Sequence, residues 1–149
     1  MHVLTSTACS AAKALFAAIG ITVGGCAVGE APIEGSAGLN CIDDSPRCIA
    51  ERQATLKQFV ADPQRRWIKE PPTPAAYASG VRLFAYKTAK KDLSCDELAH
   101  GRREADGAAS SLKGAGSSLT PAQVSRGTMF ASEVGRELSN EMKRRCKKG

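Results

Sequence analysis

Apolar residues recur at helical spacing after residue 45, and four of them share one face of the segment: Ile49, Leu56, Phe59 and Val60. This segment follows Ser45-Pro46, in which serine is a favoured capping residue and proline a favoured first helical residue. The pattern therefore predicts a helix over Pro46–Ala61.

The same two signals, a capping residue and an apolar face, predict four more helices. Their ranges are Pro63–Lys69, Pro74–Lys91, Cys95–Ala109 and Pro121–Lys147, and their capping residues are Asp62, Thr73, Ser94 and Thr120. Glu97 and Gln123 can complete capping boxes with Ser94 and Thr120. The third helix has its apolar face at Tyr77, Val81, Phe84, Ala85 and Thr88. In the fourth, Leu98 and Ala105 are expected to face inward. Ser110–Ser118 is rich in glycine and serine and is expected to be a loop.

The last predicted helix carries small residues at every fourth position, namely Gly127, Ala131 and Gly135. Interior glycines destabilise a helix, so we expect this ridge to pack closely against a neighbouring helix. No segment alternates apolar and polar residues as a strand would. The fold class predicted is all-α: an up-and-down bundle of four main helices plus one short helix, stapled by disulfides.

An apolar run of about ten residues precedes the predicted bundle, within Ala14 to Cys26. That is the length of the apolar core of a signal peptide and is shorter than the roughly 20 residues that span a bilayer. An ordinary secretory peptide or a buried N-terminal helix would be the alternatives. Gly20, Gly24 and Gly25 argue against the helix.

Val23-Gly24-Gly25-Cys26 resembles the lipobox of bacterial lipoproteins, in which an aliphatic residue and two small residues precede the lipidated cysteine. The resemblance implies a lipoprotein signal peptide over residues 1–25. It also implies that Cys26 carries a diacylglyceryl group and an N-linked acyl chain such as palmitate. In this family an aspartate after the cysteine favours the inner membrane. Here Ala27 follows, which implies a lipid anchor in the cell outer membrane, facing the periplasm.

The segment after the lipobox has no helical or strand periodicity, so residues 26–40 are expected to be a flexible tether and residues 41–149 the folded domain. An exported domain favours disulfides, and four cysteines remain for them: Cys41, Cys48, Cys95 and Cys146. An alternating bundle places all four at one end. We expect Cys48–Cys146 with Cys41–Cys95, and the alternative is Cys41–Cys48 with Cys95–Cys146.

The chain has a formal net charge of +6, which favours anionic partners. Aromatic residues are only 5% of the sequence, so no base-stacking surface for nucleic acid is expected. The densest basic cluster is at the C-terminus and is the predicted site for an anionic surface: Lys143, Arg144, Arg145, Lys147 and Lys148.

Candidate catalytic and metal-binding groups are few. His100 is the only histidine after the leader and no CxxC pair exists, so neither a metal site nor a cofactor is expected. Glu133, Glu137 and Glu141 recur every four residues, and we expect them to pair with Arg145 and with bases of the helix over Pro74–Lys91: Arg82, Lys87, Lys90 or Lys91.

The sequence thus favours a non-enzymatic binding or structural module of the cell envelope. Its partners would be the membrane, through the lipid anchor, and an anionic component or protein of the envelope. The alternatives are an inhibitor or immunity-type protein that acts on an envelope enzyme, and a cell-wall glycosidase. The glycosidase is disfavoured because no pair of carboxylates suggests a catalytic cleft.

Overall fold

A computed structural model describes residues 37–146, and this part of the chain is all-α. The expected all-α fold with disulfides is confirmed. The helices are α1 (Ala37–Asn40), α2 (Pro46–Ala61), α3 (Pro74–Ser79), α4 (Val81–Ala89), α5 (Cys95–Gly114) and α6 (Pro121–Arg145), with 3₁₀ turns at Arg66–Ile68 and Gly116–Ser118. The predicted signal peptide, Cys26, Lys147 and Lys148 lie outside the described residues.

Capping residues start the helices as the sequence predicts. Ser45 and Thr73 accept hydrogen bonds from backbone N–H groups in the first turns of α2 and α3. Ser94 and Thr120 each complete a capping box, with Glu97 and Gln123 as the reciprocal partners. These side chains satisfy amide groups that have no partner within the helix.

The second predicted start, Asp62-Pro63, was wrong, since the helix expected over Pro63–Lys69 is only a 3₁₀ turn at Arg66–Ile68. Asp62 instead ends α2, where its N–H donates to carbonyl groups of the last turn. Its carboxylate then accepts hydrogen bonds from the N–H groups of Gln64 and Arg66. Arg65 has a φ of 46°, in the left-handed region, and this conformation interrupts helical continuation.

The predicted helix over Pro74–Lys91 is divided at Gly80, which has a φ of 76°. Glycine adopts this left-handed conformation readily, so the chain turns between α3 and α4. The turn changes the phase of the buried face. Phe84 and Thr88, predicted to be buried, are exposed, whereas Leu83 and Tyr86 are fully buried.

The segment from Ser110 to Gly114 is helical, although its glycine- and serine-rich composition predicts a loop. Here α5 continues for a further turn because Leu112 is fully buried. The close neighbour of Leu112 is Gly127: a Cβ on this glycine would lie 2.8 Å from the Leu112 side chain. Buried Gly127, Ala131 and Gly135 thus confirm the predicted close packing of the small-residue ridge.

The folded domain begins before Cys41, inside the predicted tether. The N–H of Gly38 in α1 donates to Thr55 Oγ1 at 3.1 Å, and both residues are buried. A Cβ at Gly38 would lie 2.6 Å from the carbonyl oxygen of Glu51, so only glycine fits this approach. Residues 37–40 are therefore part of the domain.

Contacts along α6 fix the helix directions. Near its start, Gln123 and Arg126 contact Ile42 and Asp44, just before α2. Near its end, Cys146 is bonded to Cys95, the first residue of α5. Helix α5 therefore runs antiparallel to α6. Helix α2 runs in the same direction as α6, because Phe59 near its end stacks on Trp67 and the next turn is joined to the start of α5 by the ion pair of Arg65 and Glu97.

The favoured disulfide pairing was wrong: the bonds are Cys41–Cys48 and Cys95–Cys146, with Cα–Cα distances of 5.2 and 5.7 Å. The physical reason is the direction of α2. Its start lies beside the start of α6, a helix of 25 residues. At 1.5 Å per residue α6 is about 37 Å long, whereas a disulfide needs Cα atoms within about 7 Å. The two bonds therefore lie at opposite ends of α6.

Trp67 is in the core and is only 2% exposed. Its ring stacks on Phe59 with centroids 5.3 Å apart and meets the ring of Tyr86 edge-on at 4.7 Å. The indole N–H donates to the carbonyl of Phe59 at 3.0 Å. Leu98 and Ala105 of α5 also face inward, as expected.

Candidate anion-binding site

The C-terminal basic cluster separates into paired and unpaired side chains. Arg145 donates to the carbonyl oxygens of Lys90, Lys91 and Leu93, at 3.1, 2.7 and 3.0 Å. It thereby satisfies carbonyls at the end of α4 and the following turn, and holds this segment against α6. Arg145 has a structural task that its position in a basic run did not suggest.

Arg144 is also engaged, in an ion pair with the buried Glu141. Arg145 lies 3.8 Å from the same carboxylate, which is the predicted i, i+4 pair. Lys143 is exposed and has no hydrogen-bond or ion-pair partner within residues 37–146. Of the described members of the predicted site, Lys143 is the one whose charge is left for a ligand.

A groove between α5 and α6 contains Lys143 and brings two further cations beside it. Its volume is about 770 Å³. Arg102 lies on the α5 side and Arg136 on the α6 side, and Asp106 is the one acidic residue that lines it. Three cations and one carboxylate give the groove a net charge of about +2. The basic groove, as we call it, is a concave site for an anion.

Small residues make this groove possible. Gly135 is buried under the Arg102 side chain, and a Cβ there would lie 3.5 Å from Arg102 Nε. Ser139 accepts a hydrogen bond of 2.6 Å from Arg102. Asp106 accepts another, of 3.0 Å, from Nε. The guanidinium of Arg102 is therefore held over α6 while 41% of its side chain stays exposed.

Arg136 and Lys143 are seven residues apart on one face of α6, about 10 Å along the helix axis. Neither has a polar partner in the described part of the chain. Arg102 and Arg136 were missing from the predicted site because both lie outside the C-terminal basic run. The signal that could have found Arg136 is its spacing of seven from Lys143, which places both on one helix face.

The other side of α6 shows what paired charges look like. Lys87 lies 2.5 Å from Glu133 and 3.1 Å from Glu137, and Lys90 is paired with Glu137. This arrangement confirms the expected pairing for Lys87 and Lys90. Hydrogen bonds from Lys90 and then Lys87 hold the pKa of Glu137 below its usual value. These cations join α4 to α6.

Arg82 does not pair with the glutamates of α6, which the sequence pattern suggests as its partners. Its guanidinium makes two hydrogen bonds, of 2.7 and 2.8 Å, to Glu104 of α5, and the two side chains are 1% and 2% exposed. It also donates to the carbonyl of Trp67. The hydroxyl of Tyr86 donates to Glu104 at 3.0 Å. Burial, with the charge of Glu104, raises the pKa of Tyr86, so the phenol stays protonated.

His100 contacts this buried network at its edge. Its Nδ1 lies 3.0 Å from the Tyr86 hydroxyl and 3.9 Å from Glu104, and 44% of its side chain is exposed. The Glu104 carboxylate has Arg82 and Tyr86 as hydrogen-bond donors, and Arg82 also donates to the backbone carbonyl of Trp67. The network is best explained as a link between α4, α5 and the Trp67 turn.

The remaining candidate groups also have structural partners. All four cysteines of the described region are in disulfides. Asp44 pairs with Arg52 and Arg126, and Glu97 pairs with Arg65 at 2.8 Å. Arg66, the next residue in the sequence after Arg65, contacts Asp62. Across residues 37–146, no three histidine, cysteine or acidic side chains converge as a metal site would require.

Comparison with known proteins adds no relative. No protein-family model, no curated protein and no solved structure matches this chain. None of the helices between Ala37 and Cys146 is long and apolar enough to cross a membrane.

Proposed function

We propose that this protein is a lipid-anchored module of the bacterial cell envelope that binds an anionic partner and performs no catalysis. The observation that carries the binding role is the basic groove, in which Arg136 and Lys143 have no partner among the described residues. A cation without a partner loses no existing ion pair when it binds an anion. Such charges also accelerate the encounter with an anionic partner.

The anchor rests on the lipobox-like residues Val23-Gly24-Gly25-Cys26 and on Ala27 after them. Lipid attachment at Cys26 would hold the domain at the outer membrane, facing the periplasm. The two disulfides are consistent with this oxidising compartment, because disulfides are rare in the cytoplasm. The tether between Cys26 and Ala37 would let the basic groove reach a nearby envelope component.

Intact mass of the protein from native membranes tests the anchor. The proposal predicts the mass of residues 26–149 plus a diacylglyceryl group and an N-acyl chain, and a gain of four hydrogens on reduction. A mass for the unprocessed chain would overturn the anchor and the compartment. A processed chain without lipid would show plain secretion.

Binding to immobilised envelope fragments tests the anionic partner. The detergent-solubilised protein should be released at a lower salt concentration when Arg136→Gln and Lys143→Gln are combined. The matched control combines Lys57→Gln and Lys69→Gln, which remove two exposed, unpaired cations outside the basic groove. Equal changes in the two variants would show that only net charge matters, which would contradict the proposed site.

A further inference from the structure

The basic groove contains neutral polar side chains as well as charged ones. Ser132 and Asn140 line it on α6, on the same face as Arg136 and Lys143. Both side chains are exposed, and neither has a hydrogen-bond partner within residues 37–146. A hydroxyl and a carboxamide thus stand between and beside two unpaired cations. A site for simple anions would not need these neutral donors and acceptors.

The order of groups along α6 is regular. Ser132, Arg136, Asn140 and Lys143 occupy positions i, i+4, i+8 and i+11, so they form one row about 16 Å long. Neutral and cationic groups alternate in this row. Met129 continues it at one end and is 71% exposed. The guanidinium of Arg102 faces the row from α5, held there by Ser139 and Asp106.

A ligand that uses all of these groups must be elongated, must carry anionic groups at intervals and must present hydroxyl groups between them. It must also have an apolar C–H surface for the Met129 end. A saccharide chain substituted with phosphate or carboxylate groups has this composition. Polyphosphate lacks the hydroxyl groups and the apolar surface. A bilayer surface is planar, so it would contact cations that protrude from the protein more readily than groups that line a groove.

We propose that the basic groove is a binding site for an anionic saccharide, with Arg102, Arg136 and Lys143 on the anionic groups and Ser132 and Asn140 on sugar hydroxyl groups. This inference rests on the proposed function and specifies its ligand class. Phosphate groups and uronic-acid carboxylates are two sources of the same chemistry.

Isothermal titration calorimetry with the full protein in detergent tests the inference with four probes. These are a deacylated, phosphorylated oligosaccharide from the lipopolysaccharide core, a galacturonic acid hexamer, neutral maltohexaose and a polyphosphate of similar charge. We expect saturable binding of at least one anionic saccharide, tighter than that of polyphosphate, and no binding of maltohexaose. Combining Arg136→Gln with Lys143→Gln should weaken the binding of the anionic saccharide at least tenfold.

Combining Ser132→Ala with Asn140→Ala keeps the charge and separates saccharide recognition from general anion binding. This variant should bind the anionic saccharide about threefold to tenfold more weakly, since each removed hydrogen bond makes a modest net contribution. Its binding of polyphosphate should be unchanged, because the cations are kept. Thermal unfolding of both variants should match that of the wild type, because all four side chains are exposed.

The outcomes distinguish the two proposals. If polyphosphate binds as tightly as the saccharides and the Ser132 and Asn140 variant behaves like wild type, the saccharide inference is overturned while the anionic binding module stands. If no anionic probe binds, both are overturned.

Discussion

The two sides of α6 use cations in opposite ways. Towards α4, Lys87 and Lys90 are paired with Glu133 and Glu137, and Arg145 is bonded to backbone carbonyls. Towards the basic groove, Arg136 and Lys143 have no partner in the described chain. The first set joins helices to each other, whereas the second set is left for a ligand. A basic residue in this sequence can therefore be assigned to stability or to binding only when its neighbours are known.

The largest effect is expected inside the paired side of the molecule, at Glu104. Glu104→Ala would leave the buried Arg82 charge without its partner, so we expect a loss of about 3–5 kcal/mol in the free energy of unfolding. Urea denaturation measures it. The matched control is Asp106→Ala on the same helix, whose ion pair with Arg102 is exposed and should contribute less than about 1 kcal/mol. Equal losses would contradict the distinction between buried and exposed pairs.

The next effect concerns the disulfide that holds α5 and α6 together beside the groove. Cys95 and Cys146 are 51 residues apart, whereas Cys41 and Cys48 are 7 apart. Chain entropy predicts a loss of about 4 kcal/mol for Cys95→Ala with Cys146→Ala, and of about 2.5 kcal/mol for Cys41→Ala with Cys48→Ala. Thermal unfolding of the two variants gives the order. The reverse order would show that the loop-entropy account is wrong for this chain.

Two glycines of α5 sharpen the contrast between packed and open surfaces. A Cβ at Gly101 would lie 2.5 Å from the Tyr86 ring and 3.1 Å from Leu138. We expect Gly101→Ala to lower the free energy of unfolding by about 1–3 kcal/mol, because the ring must shift. Gly107 has no neighbour within 4 Å of such a Cβ. Gly107→Ala should therefore raise stability by up to about 1 kcal/mol. Similar effects at both positions would contradict the packing described for Tyr86.

The smallest effect is the pH dependence of the pairs between α4 and α6. The pKa of Glu137 is lower in the folded protein than the usual glutamate value of 4.5. This carboxylate therefore contributes stability above its unfolded pKa, and the contribution is lost as pH falls through the folded pKa. Glu137→Gln should flatten the decrease in unfolding free energy below about pH 4.5 by less than about 1 kcal/mol. A steeper acid dependence in this variant would show the opposite sign.

Local signals predicted the helices well and long-range arrangement poorly. The bounds of Pro46–Ala61 and the capping boxes at Ser94 and Thr120 follow from neighbouring residues, and the structure has them as predicted. The division at Gly80 depends on the left-handed conformation of one residue, which the helical periodicity of Pro74–Lys91 does not reveal. The same direction of α2 and α6 depends on tertiary contacts, and the wrong disulfide pairing follows from it. The basic groove also depends on tertiary packing, since Arg102 and Arg136 come together only when α5 packs on α6.

One comparison tests the central claim most directly: the salt concentration that releases two variants from immobilised envelope fragments. Lys87→Gln with Lys90→Gln and Arg136→Gln with Lys143→Gln each remove two cations that lie along α6. The account predicts that the first variant is less stable but is released like wild type, whereas the second is equally stable but is released at lower salt. If both variants are released alike, net charge and not the unpaired cations of the groove accounts for binding.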